Sequence, residues 1–426
     1  MTLHRRTLFT ALSTLGTLLT SGAALSAPGE LDPFFNGGPG FAAVLAPAGM
    51  TEPVAATVCL DGSLRVVVSA SLKSAGANQW QGQLLRTSAS GVPDATLAAG
   101  YWRALGTVAA LPQMPALRCE QGRYVTATVA GSSAPYQVRL DLVPAAGGAG
   151  SSTLLNSGLH ALQPRIALAS AQTYGHWWVG PAVQSPWAHP TYGTSALHHW
   201  QEQGGTLLNN TALNAQSFGG MSAQYTDVEL APNGDVFAIG RFQLNGNYNA
   251  YVERFNASGQ QYGSFLTTMV QSAEHDYGQR IALAGNAARI YAGTTTISTG
   301  VPLQTGIRIV RLLSSGQPDP GFGDNGAWTL SNAELGDVLE DAQGRVLVVG
   351  RHNGVAAIIR LLANGTPDTG FGPGGERVFG FGSLGARFDS LTTDLNGRYV
   401  VAGTRFAAER GGQSIPAAVI VARILP

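Results

Sequence analysis

"NGDVFAIG" (Asn233–Gly240), "QGRVLVVG" (Gln343–Gly350) and "NGRYVVAG" (Asn396–Gly403) are three copies of one pattern. Each has a turn dipeptide, then a strand that ends in Gly six residues after the first Gly. Looser copies begin at Asp61 ("DGSLRVVVS"), Gln121 ("QGRYVTATV"), Thr173 ("TYGHWWVG") and Asn286 ("NAARIYAG"). The turn anchors are Gly62, Gly122, Tyr174, Gly234, Ala287, Gly344 and Gly397, with successive spacings of 60, 52, 60, 53, 57 and 53 residues. A period of this length marks a repeat architecture, here of seven units.

Each unit contains runs of 5–8 residues rich in Val, Ile, Tyr and Phe, separated by Gly, Asn and Asp turns. Such runs read as antiparallel strands joined by hairpins. Four strands per unit, seven times over, predict an all-β, seven-bladed β-propeller of four-stranded blades. Seven hairpin modules stacked or strung in a line are the structural alternative.

"QPDPGFGDNGAW" (Gln317–Trp328) and "TPDTGFGPGGERVF" (Thr366–Phe379) follow the third strands of their units, and "LDPFFNGGPGFAAV" (Leu31–Val44) has the same register near the N-terminus. The last unit stops early, at "VIVARILP". The N-terminal stretch is therefore expected to supply the outer strand of the final blade, so that both termini share it and no long open edge remains.

These residues resemble the delta-60 repeat family of bacterial secreted and surface proteins, through "LDPFF…GG", "DGxxxV" and "VxRLxxxGxPDxGFGxxG". The resemblance is clearest at the N-terminus and in units five to seven. It implies a β-propeller-like fold and no defined catalytic activity, so no functional residues are carried over.

Residues 1–27 read as a cleavable signal peptide: Arg5 and Arg6, a mildly apolar stretch from Leu8 to Leu25, then "AALSA". "HRRTLF" fits a twin-arginine export signal, and a general secretory signal is the alternative. Residues 28–426 are expected to form one propeller domain in the periplasm or outside the cell. No later apolar run reaches the roughly 18 residues a membrane span needs, so the mature chain is not expected to insert in a membrane. Of 426 residues, 25 are basic and 25 acidic, so the basic footprint of a nucleic-acid binder is missing. No phosphate-cradling GxxxxGK[ST] or HExxH occurs, and the sequence names no cofactor.

A basic residue recurs near the end of every third strand: Arg86, Arg139, His199, Arg254, Arg311, Arg360 and Arg423. Its neighbours are apolar ("RIVRLL", "AIIRLL"), and a buried guanidinium needs partners. Asp94, Asp319 and Asp368 follow eight residues after Arg86, Arg311 and Arg360, and ring closure would bring Asp32 to Arg423. These pairs, or bonds from Arg to carbonyls, are expected to clamp the turn between third and fourth strands. A ring of arginines collecting an anion is the functional alternative.

Gly175–Trp200 holds four of the eight histidines and four of the seven tryptophans. Trp177 and Trp178 must point to opposite faces of a strand and read as packing between blades. Trp187, His189 and Tyr192 fall on the following loop and are candidate contacts, since loops carry function more often than strands. His198 and His199 are adjacent and point apart, so no metal site is assigned; zinc sites space their ligands differently.

Cys59 and Cys119 each lie three residues before their turn glycine. They form either a disulfide between neighbouring blades of an exported protein or two small buried side chains. Acids that precede the hairpin turns, among them Asp227, Glu229, Asp337, Glu340 and Asp389, are expected near a central channel. Glu274, His275 and Asp276 in "AEHDYG" are the densest polar group there and the first-choice binding residues. Tyr101, Trp102, Tyr248 and Tyr251 are further aromatic candidates.

Three functional classes follow. The favoured one is a non-catalytic binding or scaffold module for a protein, peptide or glycan, since repeat surfaces suit extended partners. A metal-dependent hydrolase or lactonase using the central channel is the alternative, and a surface or biofilm component is the third. No catalytic residue is assigned.

Overall fold

The computed structural model describes residues 27–98, 101–109, 115–130, 136–159, 164–170, 176–183, 196–203, 206–214, 223–244, 246–263, 265, 267–268, 274–300, 302–382, 385–410 and 412–426. The expected signal peptide, save Ala27, lies outside them, as do Trp187, His189 and Tyr192.

The strands form four-stranded antiparallel sheets, and six of these are built from strands consecutive in the chain. The first blade is Met50–Leu60, Val66–Ser74, Trp80–Thr87 and Trp102–Ala109. The second is Ala116–Glu120, Arg123–Ala130, Tyr136–Pro144 and Ser151–Leu159. The third is Pro164–Ser170, His176–Val183, Ala196–Gln203 and Thr206–Asn214. The fourth is Ala223–Leu230, Val236–Leu244, Asn247–Phe255 and Thr267–Thr268. The fifth is His275–Ala284, Arg289–Ile297, Thr305–Leu313 and Ala327–Ser331. The sixth is Ala333–Glu340, Val346–His352, Val355–Leu361 and Glu376–Phe379. A β-propeller is thus the architecture; a short 3-10 turn spans Pro373–Gly375.

The repeat unit at Gly397 lies in a sheet of a different make. Ala386–Thr393, Tyr399–Arg405 and Ala418–Ile424 are joined by Phe41–Leu45, in the order 41–45, 418–424, 399–405, 386–393. Phe41 stands opposite Ala422 and Leu45 opposite Ala418. A small hairpin, Ala408–Arg410 with Gln413–Ile415, is inserted before Ala418–Ile424. The first strand of each blade is innermost. These inner strands neighbour one another in chain order, and Ala386–Thr393 stands beside those of both the sixth and the first blade. Between blades the second and third strands bury aliphatic side chains on both faces, as with Phe237, Ile239, Ile290 and Ala292 between the fourth and fifth.

The glycine that ends each repeat copy has a steric cause. The inner strands of five sheets carry a bulge, where register shifts at Ala55/Thr57, Tyr225/Asp227, Gly278/Arg280, Leu335/Asp337 and Phe388/Ser390. A bulge bends its strand toward the partner. A Cβ on Gly350 would lie 2.0 Å from the Glu334 carbonyl oxygen, and one on Gly403 2.2 Å from that of Arg387.

At the opposite end of the sheets stands the arginine column. Arg86, Arg254, Arg360 and Arg423 face the second residue of their partner strand, and Arg311 and His199 face the third. Arg139 departs from the expectation: it faces Thr128, the sixth residue, and pairs with Asp141 two positions on. The column's place in that blade falls at Leu142 or Val143, so the strand-context alignment was about three residues out.

The Nε–Oδ2 distance is 2.8 Å in Arg86–Asp94, Arg311–Asp319 and Arg360–Asp368, and 2.7 Å in Arg423–Asp32. Each Asp also donates its backbone N–H to the carbonyl of its Arg. Phe322, Phe371 and Phe35, three residues after the Asp, are buried with their rings 4.7, 4.4 and 4.9 Å from the guanidinium carbons. The Arg then reaches the next blade: Arg86 Nη1 donates to Ala145 O at 2.5 Å, Arg311 Nη1 to Ala363 O, and Arg423 Nη1 to Ala89 O at 2.8 Å. Arg254 has Tyr262 in place of the Asp; its carboxylate is Asp235 at 2.6 Å, with the Tyr262 ring 4.3 Å away.

Candidate functional site

Two places gather polar side chains: the central channel and the face on which the inner strands begin. The described part of the channel wall encloses about 410 Å³, lined by the middles of the inner strands.

The channel acids are engaged by neighbouring blades. Asp227 accepts the Ile281 N–H at 3.0 Å through Oδ2 and its own neighbour Val228 N–H at 3.0 Å through Oδ1. Asp337 repeats this one blade pair on, accepting Leu391 N–H at 3.0 Å and the Ser390 hydroxyl at 3.1 Å. The position just after the bulge makes this possible, because the bulge turns the carboxylate toward the adjoining inner strand. Burial pushes the Asp227 carboxyl up to about 7, against the pull of Arg280, and raises Asp337, Glu229 and Asp389 as well. Charge is costly where solvent is scarce, and one Arg280 serves several acids. Glu340 goes the other way: burial opposes it, but hydrogen bonds from Arg289 and Tyr291 hold its carboxyl below the usual range. Among the described residues, no group of three His, Cys, Asp or Glu is arranged to hold a metal ion.

Cys59 also stands in this wall, bonded to Cys119. They form a disulfide with Cα atoms 5.8 Å apart, linking the inner strands of the first two blades. That separation is within the usual range for a bridge.

Glu274, His275 and Asp276 do not line the channel. They lie where the inner strand of the fifth blade begins, because this strand enters at the face and reaches the bore only after its bulge. Glu274 is exposed and Asp276 buried, and both line a cleft of about 240 Å³ with Thr296, Gln304 and Arg308. His275 turns to the fourth blade. Its Nδ1 accepts the Tyr248 N–H at 3.2 Å, and its ring lies 5.8 Å from Tyr248 and 6.1 Å from Tyr277. The buried Arg241 guanidinium rests 5.4 and 5.2 Å from the two tyrosine rings.

Two further clefts adjoin the first. One of about 260 Å³ shares Gln304 and Thr305 with it and adds Glu334, Arg351 and Asn353. Another of about 40 Å³ shares Glu334 and Arg351 with the second and adds Arg280, Arg387 and Asp389. Sequence reasoning missed Gln304, Arg308, Glu334 and Arg351. They come from first, second and third strands and from one hairpin loop, with no shared motif. Of the other aromatic candidates, Tyr101 is 42% exposed, while Trp102 and Tyr251 are buried.

A second structural network was also missed. Asp61, Asp341 and Asp394 cap the turn between first and second strands, each accepting the Nε–H of the Arg four residues on at 2.7 Å. Its signal was legible as an Asp four before Arg in "DGSLR", "DAQGR" and "DLNGR".

A family profile described as a domain of unknown function (DUF5122) beta-propeller matches residues 344–371. No curated protein matches the chain in sequence. Among solved structures, the polysaccharide lyase Uly1 superposes with a TM-score of 0.51 at 8% identity, over 92% of this chain and 93% of that one. An unknown-function protein from Dyadobacter fermentans DSM 18053 gives 0.44 at 12% identity, over 90% and 99%. The alpha-L-arabinanase of Penicillium chrysogenum, complexed with arabinobiose, gives 0.42 at 11%, over 70% and 89%. At these identities the likeness is one of fold. No helix among the described residues is long and apolar enough to cross a membrane.

Proposed function

We propose that this protein is a non-catalytic, extracytoplasmic binding module whose ligand, a glycan, sits on the face where the inner strands begin. The observation that carries this reading is the contrast between the two polar places. The channel carboxylates Asp227 and Asp337 are used in hydrogen bonds that tie one blade to the next. The face instead offers adjoining polar clefts that open between the fifth and sixth blades. A concave site with a few convergent polar groups is the general form of a ligand pocket.

In the same reading, residues 28–426 are one domain of the delta-60 repeat type. Its seven sheets form a ring of seven blades, and the sheet shared by Phe41–Leu45 and Ala418–Ile424 closes it. Residues 1–27 direct export to the periplasm or the medium and are removed.

A thermal-shift screen of the mature protein against glycans, cell-wall fragments and divalent metals tests the reading. A ligand at a hundred times its Kd adds about 2.7 kcal/mol, a shift of roughly 2–4 °C or less for a chain of this size. A shift with oligosaccharides that shrinks in Gln304→Ala supports it. A shift with metals alone would move the assignment to the channel.

One observation favours a second reading. A carboxyl titrating near 7, as Asp227 does, is suited to general acid–base work. Hydrolysis of an ester or lactone by the native protein, abolished in Asp227→Asn, would establish that reading.

A further inference from the structure

We infer that the ligand is a linear, uncharged oligosaccharide that lies across the fifth and sixth blades and occupies the two larger clefts at once. This inference rests on the binding-module reading above and names the ligand's shape and charge.

The shape argument is continuity. The clefts of about 240 and 260 Å³ share Gln304 and Thr305 as a common wall. Gln304 sits at the end of the loop joining second and third strands, and its backbone N–H is fixed by the Ser298 hydroxyl at 2.8 Å. It therefore forms a low ridge between two hollows, where one sugar on each side would place the glycosidic linkage over the amide. Gly306 keeps the first hollow open: a Cβ there would stand 2.8 Å from the Thr296 hydroxyl. The third cleft, about 40 Å³, is large enough to admit water but not a sugar ring. It is a wet pocket behind the second hollow.

The charge argument is balance. Glu274 and Asp276 face the first hollow with Arg308. Glu334 and Arg351 face the second, 3.4 Å apart. Arg280, Arg387 and Asp389 stand behind, with Arg387 and Asp389 2.5 Å apart. Three carboxylates thus meet two guanidiniums along the two occupied hollows, each of which holds both signs. A polyanion gains nothing from such a field, and the acids of the first hollow would repel a uronate. Neighbouring acids, guanidiniums, amides and hydroxyls do suit sugar hydroxyls, which both donate and accept.

The test is calorimetric titration of the mature protein with cello-, xylo- and manno-oligosaccharides from one to six units, alongside galacturonate oligosaccharides of the same lengths. The expected result is binding of a neutral series that strengthens at least tenfold from one unit to three, then levels off. The affinity should be the same in 50 and 500 mM NaCl. Gln304 is exposed, so Gln304→Ala should keep the native melting temperature and weaken longer oligomers tenfold while leaving the monosaccharide unchanged. Arg308→Met should weaken both. Binding restricted to galacturonates, or falling with salt, would overturn the inference while leaving a glycan module in place. So would an affinity that does not grow beyond one unit. If no glycan binds, the binding-module reading falls with it.

Discussion

Arg360 and Glu253 show opposite ways of keeping a charged group inside this protein. Arg360 is 4% exposed and its charge is matched by Asp368 at 2.8 Å and the face of Phe371. Removing one partner of such a pair strands the other, so Arg360→Ala should lower unfolding free energy by about 2–4 kcal/mol. Lys73→Ala, which breaks an exposed pair with Glu52, should cost roughly 0–1 kcal/mol. Urea titration of the two variants checks the difference. Glu253 is fully buried and has only the Tyr225 hydroxyl and the Gln261 amide, at 3.0 Å, among its described hydrogen-bond donors. Burial pushes its carboxyl up to about 7, even though the bond from Tyr225 favours the charged form. A folded-state value raised above the unfolded one stabilises fully below the unfolded value, near 4.5, and the gain is lost as pH rises through 7. Glu253→Gln should flatten the fall in stability between pH 5 and 7.5. Melting curves across that range that remain parallel for the two proteins would refute this.

In the sixth blade and in the sheet of Tyr399–Arg405, a glycine within the second strand lies against the bulge of the first. Gly350→Ala should therefore cost about 1–3 kcal/mol or more, since the Glu334 carbonyl occupies the place of the new methyl. Gly344, at the turn that opens the same strand, has open space and a φ of +76°. Gly344→Ala should cost about 1 kcal/mol through backbone strain alone. Guanidinium unfolding separates these cases, and equal losses would mean that the bulge gives way. The element-level pattern was readable: turn, strand and terminal Gly recur in the sequence. Its cause was not, because the carbonyl that excludes a side chain comes from the preceding inner strand. The same limit explains Arg139. Alignment by apolar context placed it in the arginine column, but register depends on which residues face each other across the hairpin, and Thr128 rather than Tyr124 or Val125 is its partner.

Among the described residues, small sets of side chains join one blade to the next. Arg86, Arg311 and Arg423 reach carbonyls at one end of the sheets. Asp227 and Asp337 reach amides near the bore, and Ser390 accepts the Val58 N–H at 3.2 Å. Between the first two blades the Cys59–Cys119 disulfide does this work. With 60 residues between its ends, its removal in a Cys59→Ser, Cys119→Ser variant should lower stability by about 2–4 kcal/mol. Denaturant unfolding of the oxidised protein and the variant measures the loss; no difference would mean that packing alone holds these blades.

What the sequence determined by itself was everything carried by local chemistry at a fixed period. That includes the strands, the hairpin turns, the Arg–Asp spacing of eight residues and the likeness of Leu31–Val44 to segments far along the chain. These survive because hydrophobic alternation and turn residues act within a few positions. Only the tertiary structure decided which polar groups are spent on holding blades together and which face a cleft. Glu274 and Asp276 share a cleft with Arg308, about thirty residues away, and not with the channel acids that resemble them in sequence. Where an acid stands here depends on which blade its strand packs against, and that neighbour is set by the packing of sheets around the bore.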